Sequence, residues 1–397
     1  MPRWTARQQQ AIDARNPRVL VSAAAGSGKT SVLVERVLSM LREGMSLERL
    51  LILTFTNAAA GEMKSRLAQK LGEEAAGNPA LLSQLYLVDR ADISTLHSFC
   101  KKLVQRYFHA AGTDPNARVA DEQTAQALFD GALEEALDAL YENPGEDDQN
   151  LIDRFKEAEI VQMTGELHNF LMAQGDPWGW LEASLDYPDA QALPAHPWGR
   201  VMRREALLSL EGALGMVAEA EALCLLPGGP VRYLDALQDD KALINGYLRA
   251  LAQEDGYAGP SPAFTRLPTR AKGEEAPALA ARAKDLRDAA KEAVKEALAL
   301  MPENQEQAET WAGEISLTLP ALRALARLTR EVNARYQALK AERTLWDYND
   351  LEHFALKALN HPEVAQEAAG SYDALFVDEY QDISHIQEAI IRQLHAS

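Results

Sequence analysis

Two groups of residues far apart in the chain are chemically matched. The first is Ala23-Ala24-Ala25-Gly26-Ser27-Gly28-Lys29-Thr30. A loop of small residues presents successive backbone N–H groups, which can cradle phosphate oxygens. The Lys29 ammonium can reach β- and γ-phosphates, and the Thr30 hydroxyl can ligate Mg²⁺. A nucleoside triphosphate such as ATP, with Mg²⁺, suits that combination. The usual form of the loop opens on Gly; Ala23 stands there in this chain, and a small residue still lets the backbone turn. The second group is Asp378-Glu379, at the end of the apolar run Ala374-Leu375-Phe376-Val377. Asp378 would hold Mg²⁺ directly or through water, and Glu379 would orient and activate an attacking water. An isolated Asp-Glu pair is usually just solvated. A phosphate loop in the same chain favours the catalytic reading.

These groups need elements to position them. Val19-Leu20-Val21 reads as a strand ending in the loop, and Ser31 to Leu41 as an amphipathic helix leaving it. The helix N-terminus adds a dipole favourable to anions. Leu50 to Phe55 reads as a second buried strand, followed by a helix with Asn57 as its N-cap and Met63 and Leu67 facing inward. Strand, helix and strand predict a βαβ unit and a parallel sheet. Thr56 and Asn57 then lie at a strand's carboxyl end, where open α/β sheets place ligands. Asp92 to Leu96 predicts a third strand, before His97-Ser98-Phe99-Cys100-Lys101-Lys102. An aromatic beside basic residues suits a single-stranded nucleic acid, through stacking and phosphate contacts. Taken alone, a histidine such as His97 is more often structural and a phenylalanine such as Phe99 more often core. Ahead of the loop, Thr5 reads as the N-cap of a helix carrying Gln8. Its amide can pair with an adenine edge or simply belong to a polar helix face.

Composition narrows the class. The 397 residues carry a formal charge of −19, unevenly spread. Residues 1–110 hold 15 Lys+Arg against 9 Asp+Glu, and the remainder 25 against 50. A basic first segment can bind phosphates while an acidic remainder keeps the protein soluble. The two cysteines, Cys100 and Cys224, have no metal-like spacing. A disulfide framework and a zinc site are therefore not expected, and a reducing cytoplasm fits. The first residues, Met-Pro-Arg-Trp-Thr, do not read as a signal peptide, and no run approaches the roughly 18 apolar residues of a membrane span.

From about residue 112 to 345 strand signals nearly vanish. Helical periodicity covers 123–141, 203–224, 276–301 and 319–342, with Pro/Gly-rich stretches between. The expected organisation is an α/β domain from 1–111 and 346–397, interrupted by an all-helical insertion at 112–345. At the return, Asp347 or Asn349 would cap a helix running to about Leu359.

In order and spacing, these stretches resemble the UvrD/Rep-type superfamily 1 DNA helicases. The matching pieces are Trp4 to Ile12, Ala23 to Thr30, Leu53 to Leu67, Ser94 to Cys100, Trp346 to Leu351 and Phe376 to Asp382. Val-Ser-Ala-Ala-Ala-Gly-Ser-Gly-Lys-Thr and Ser-Thr-Leu-His-Ser-Phe-Cys are most similar to the AddAB-type helicase–nuclease branch. RecB-like relatives and UvrD/Rep-type repair helicases without nuclease remain alternatives, and a phosphate-loop ATPase of another class is a remote one.

The resemblance implies a RecA-like P-loop NTPase fold with a helical insertion. It implies that Gln8 contacts adenine, that the 23–30 loop holds ATP phosphates, and that Thr30 and Asp378 hold Mg²⁺. Lys29 and Glu379 would be catalytic, and Gln381 would sense the nucleotide. Phe55, Thr56, Asn57, His97 and Phe99 would lie along single-stranded DNA. Single- and double-stranded DNA ends and an AddB-like partner subunit in a heterodimer are the implied partners. It also implies a second motor domain and a nuclease domain after Ser397, so that the 397 residues alone are expected to bind nucleotide and DNA with little turnover.

Overall fold

The computed structural model describes residues 4–24, 26–75, 78–186, 193, 196–253, 256–269 and 276–395. They fold as mixed α/β, mostly helical, with parallel sheets. The chain divides into two compact units, Met1–Ala183 with Ala324–Ser397, and Ser184–Arg323. Helices from 122 to 172, which the sequence groups with the insertion, thus belong by packing to the unit that holds the main sheet.

That sheet has three parallel strands. β1 (Leu50–Thr54) lies between β2 (Asp92–Thr95) and a returning strand (Ala374–Val377). Leu53 is in register with Ser94 on one side and Val377 on the other. Parallel neighbours need long crossovers. The β1 to β2 crossover is made by two helices, Asn57–Ala75 and Pro79–Leu87. A second parallel ladder pairs Arg118–Val119 with Leu345–Trp346.

Every β1 residue is buried, because the sheet is covered on both faces. Leu50 and Ile52 pack with Val37, Leu38 and Leu41 of the Lys29–Arg42 helix and with Met63 and Leu67. Leu51 and Leu53 face the other way. They meet Phe99, Cys100 and Leu103 of the Leu96–Arg106 helix, Leu351 and Ala355 of the Tyr348–Leu359 helix, and Ile386 and Ile390 of the His385–His395 helix. The period-two alternation of a strand thereby joins two cores.

Two local expectations are corrected. Residues 18–22 form no strand: Val19, Leu20 and Val21 are exposed, and the run joins no ladder among the described residues. A strand needs a ladder partner, and β1 already has one on each side. At the start of the Asn57–Ala75 helix, Thr56 rather than Asn57 is the cap. Its Oγ1 accepts from the Ala59 N–H at 3.1 Å, and its carbonyl accepts from the Ala60 N–H.

The second unit is built on three long helices, Pro197–Cys224, Leu234–Leu251 and Pro277–Ala299. Ala206, Leu210, Ala213, Val217, Ala220 and Cys224 recur at spacings of three and four and meet Leu286, Ala290, Val294 and Ala297. Inside it the Arg287 guanidinium forks onto Asp240 and donates to the Thr265 carbonyl. No described helix is long and apolar enough to cross a membrane.

Candidate functional site

The loop conformation follows from its glycines. Gly26 and Gly28 have φ of +75° and +82°, the left-handed region that side chains with a Cβ rarely enter. Ser27 N–H closes a turn onto the Ala24 carbonyl at 3.2 Å. Gly28 is the N-cap of the Lys29–Arg42 helix and supplies no side-chain cap. The first-turn N–H groups of that helix therefore have no side-chain cap from its N-cap, and the helix dipole makes the position favourable to anions. Ala23 and Ala24 are exposed, and Lys29 and Thr30 half-buried. Ala25 lies outside the described residues.

Gln8 reaches this loop. Thr5 and Gln8 form a reciprocal capping box at the start of the Ala6–Asp13 helix. The other end of the same amide, Nε2, donates to the Ser27 carbonyl at 3.1 Å. Capping thus fixes the side chain in the orientation that touches the loop.

The returning strand ends at the same place. The Asp378 N–H donates to the Leu53 carbonyl at 2.9 Å, which continues the ladder by one residue. Then the chain turns: Glu379 adopts φ +52° and ψ +47°, a left-handed conformation unusual for a residue with a side chain. Its N–H donates to Asp378 Oδ1 at 3.1 Å. The turn carries the Glu379 carboxylate to Lys29, with Nζ to Oε2 at 3.2 Å. Gln381 Nε2 donates to the same oxygen at 2.5 Å. Donation from Gln381 and then from Lys29 holds the Glu379 carboxyl below its ordinary range. Burial, together with the neighbouring Glu379 charge, pushes the Asp378 carboxyl up. A cation beside Asp378 would offset that effect, and hydroxyl and carboxylate oxygens are the donors Mg²⁺ prefers.

Beyond β1 and β2, the five residues expected along DNA divide. Phe55 is 64% exposed, and Thr56 and Asn57 are also exposed. His97 is partly exposed; its Nε2 lies 2.9 Å from Glu352 Oε1, and its ring packs on Tyr348 at 4.8 Å between centroids. Phe99 is a correction. Its ring is 4% exposed, inside the core, with Tyr372 against it at 6.3 Å, so no face is open for a base.

Sequence reading missed Glu352, which is 4% exposed. The only signal was its place on an apolar helix stripe, beside Leu351, Ala355, Leu356 and Leu359. Burial above all, and then the Glu352 charge, pushes the Cys100 thiol well above its ordinary range. The same helix is capped by Asp347, one of the two residues expected there. Asp347 Oδ1 accepts from the Asp350 N–H at 2.8 Å, and Asp350 Oδ2 accepts in return. Both carboxylates meet buried Lys340, at 2.7 and 2.6 Å.

A parallel sheet with a glycine-bent loop, a lysine and paired carboxylates gathered beside it defines a mixed α/β protein, mostly helical. Within that class, the chain belongs to the UvrD/REP helicase N-terminal domain family, which it matches over residues 4–397. It is similar to the ATP-dependent helicase/nuclease subunit of Alkaliphilus oremlandii, 36% identical over 410 residues, covering 99% of this chain and 34% of that protein. It is likewise similar to the proteins of that name from Syntrophomonas wolfei (34% identical, 99% and 33% covered) and Geobacillus kaustophilus (35% identical, 98% and 33% covered). The chain spans about a third of the length of these relatives.

Proposed function

We propose that this chain is the nucleotide-binding part of an ATP-driven DNA helicase motor with a P-loop NTPase fold. In the whole protein, this motor would translocate on single-stranded DNA, unwind broken duplex ends and act with a nuclease activity and a partner subunit in recombinational repair. One observation carries the reading: Lys29 of the glycine-bent loop meets Glu379 of the returning strand, with Gln8 on the Ser27 carbonyl. The names of the relatives support the helicase and nuclease parts. We assign 1–111 and 346–397 to the first motor domain and 112–345 to its insertion, of which 112–183 and 324–345 pack in the same compact unit as the main sheet.

In this reading the loop N–H groups and Lys29 bind the ATP phosphates, and Gln8 sits where the base enters. Thr30 and Asp378 would hold Mg²⁺, which would supply charge neutralisation. Glu379 accepts a proton from the attacking water, and its ionised state suits that role. Gln381, already on the Glu379 carboxylate, responds to whatever displaces Lys29. Phe55, Thr56, Asn57 and His97 offer one aromatic face and three polar groups to a single strand. In the whole protein, Lys29→Ala should abolish ATPase stimulated by single-stranded DNA. Wild-type ATPase in that variant would sink the reading.

A further inference from the structure

We propose that Glu352 is a positioning residue that ties the DNA-side histidine, His97, to the segment that aims Glu379; this rests on the functional reading above. A single oxygen of Glu352, Oε1, meets two donors, His97 Nε2 at 2.9 Å and Gln387 Nε2 at 2.6 Å. The carboxylate is buried, and a buried carboxylate is costly unless its donors stay in place. The two contacts are therefore mutually dependent.

At one end, His97 lies in the first turn of the Leu96–Arg106 helix, which Thr95 caps at the end of β2. Glu352 holds the edge of its ring and Tyr348 covers a face. These two residues are four apart on one helix and so share a side of it. With Nε2 directed at a carboxylate, Nδ1 is the ring nitrogen left to accept a hydrogen bond.

At the other end, Gln387 helps begin the His385–His395 helix. Its N–H donates to Ser384 Oγ, and its Oε1 accepts from the Ser384 N–H, both at 3.3 Å. Ser384 follows the short turn Tyr380–Asp382, which starts directly after Glu379. From that turn Gln381 holds the Glu379 carboxylate. Hydrogen bonds thus run from His97 through Glu352 and Gln387 to Ser384, and the backbone of residues 381–384 joins Ser384 to Gln381, whose side chain holds Glu379. It ends on a residue in a left-handed conformation without being glycine, an arrangement that persists only while its neighbours hold it. A strand that draws His97 toward itself would change what Gln387 receives from the shared oxygen. The start of the helix and the turn before it would respond.

A path in space becomes coupling only when measured. The test is steady-state ATPase of the whole protein, titrated with an oligothymidylate single strand, for wild type, Glu352→Gln, Gln387→Ala and the double variant. Glutamine keeps the size of Glu352 and removes the charge that serves both donors. Each single variant should keep the DNA-free rate within about twofold and lose about tenfold of the DNA-stimulated kcat, a typical size for coupling between sites. The DNA concentration for half-stimulation should move less than about threefold. The double variant should be no worse than either single one, as for residues on one path. Wild-type stimulation in both folded single variants would overturn the proposal. A parallel fall of DNA-free and DNA-stimulated rates, together with a lower Tm, would also overturn it and leave Glu352 a structural residue. If single-stranded DNA does not stimulate the wild-type ATPase, the functional reading itself fails, and that outcome is separate from the other two.

Discussion

Lys29 and Glu379 form an ion pair at 3.2 Å although 350 positions separate them in the chain. The ammonium suited to a phosphate here neutralises the carboxylate suited to activating water. Both side chains are partly solvent-exposed, so the pair is weak and a phosphate can displace it. Binding of nucleotide would free Glu379 at the moment it is needed.

Glu379→Gln should therefore separate binding from turnover. ATP hydrolysis by the whole protein is expected to fall by about 10²–10⁴, the range for losing a general base. Nucleotide affinity should hold or rise, since Lys29 loses a charged competitor. Titration with a fluorescent ATP analogue beside an ATPase assay measures both. Affinity that falls in step with the rate would contradict this division of roles.

Phe55 and Phe99 should give opposite phenotypes. Phe55→Ala removes an exposed ring and is expected to leave Tm nearly unchanged. It should cost about 1–3 kcal/mol in single-strand affinity, the usual contribution of one stacked base. Phe99→Ala empties part of the core and should cost about 3–5 kcal/mol of stability. Thermal melts and fluorescence anisotropy with a labelled strand decide the case. A stable Phe99→Ala protein would show that the ring is not core.

Lys340 anchors two buried carboxylates, Asp347 and Asp350. Its Nζ also lies 4.1 Å from the centre of the Tyr336 ring. Lys340→Met would leave both carboxylates without their cation and should cost about 3–5 kcal/mol. Adding Asp347→Asn and Asp350→Asn should recover much of that loss. Burial alone would raise the Asp347 carboxyl, but the Lys340 charge and hydrogen bond, with hydrogen bonds from the Asp350 N–H and Tyr336, together hold it low. Its contribution is complete above the unfolded carboxylate value of about 3.9 and disappears as pH falls through the lower folded value. Urea unfolding of the variants, with an acid titration of the wild type, tests both statements.

His168 should make the first unit sensitive to mild acid. Burial holds its imidazole below the ordinary value of 6.5, while the Asn333 hydrogen bond works the other way. The folded state thus binds fewer protons than the unfolded state. Stability should fall as pH drops from about 6.5 toward the lower folded value, then level off. His353, also lowered by burial, adds a slope of the same sign. His168→Gln should flatten part of the dependence in melts between about pH 7 and 5. An unchanged slope would show that His168 is not its source.

Much of this architecture was legible in the chain itself. The apolar runs at 50–55 and 374–377 and the alternating stretch at 92–96 became the three strands of the sheet, and the central one, covered on both faces, is buried throughout. The run at 19–21 carried the same signal and formed no strand. Local hydrophobicity cannot say whether a ladder partner is free. The capping box of Thr5 and Gln8 is a short-range pattern, and its contact with Ser27 is not. Phe99 and Phe55 look alike in sequence, each an aromatic near polar residues. Only packing made one core and the other surface.

The residues themselves determined that a glycine-rich loop ending in lysine, a carboxylate pair and a chain of helicase-like stretches were present, since these depend on residue type and short spacing. Tertiary structure decided that Lys29 and Glu379 face each other and that one buried oxygen of Glu352 serves both His97 and Gln387. The physical reason is distance along the chain. Caps and periodic faces are set by neighbours within a few residues. A carboxylate meeting donors 35 and 255 positions away is set only when the elements that carry them pack around the same sheet.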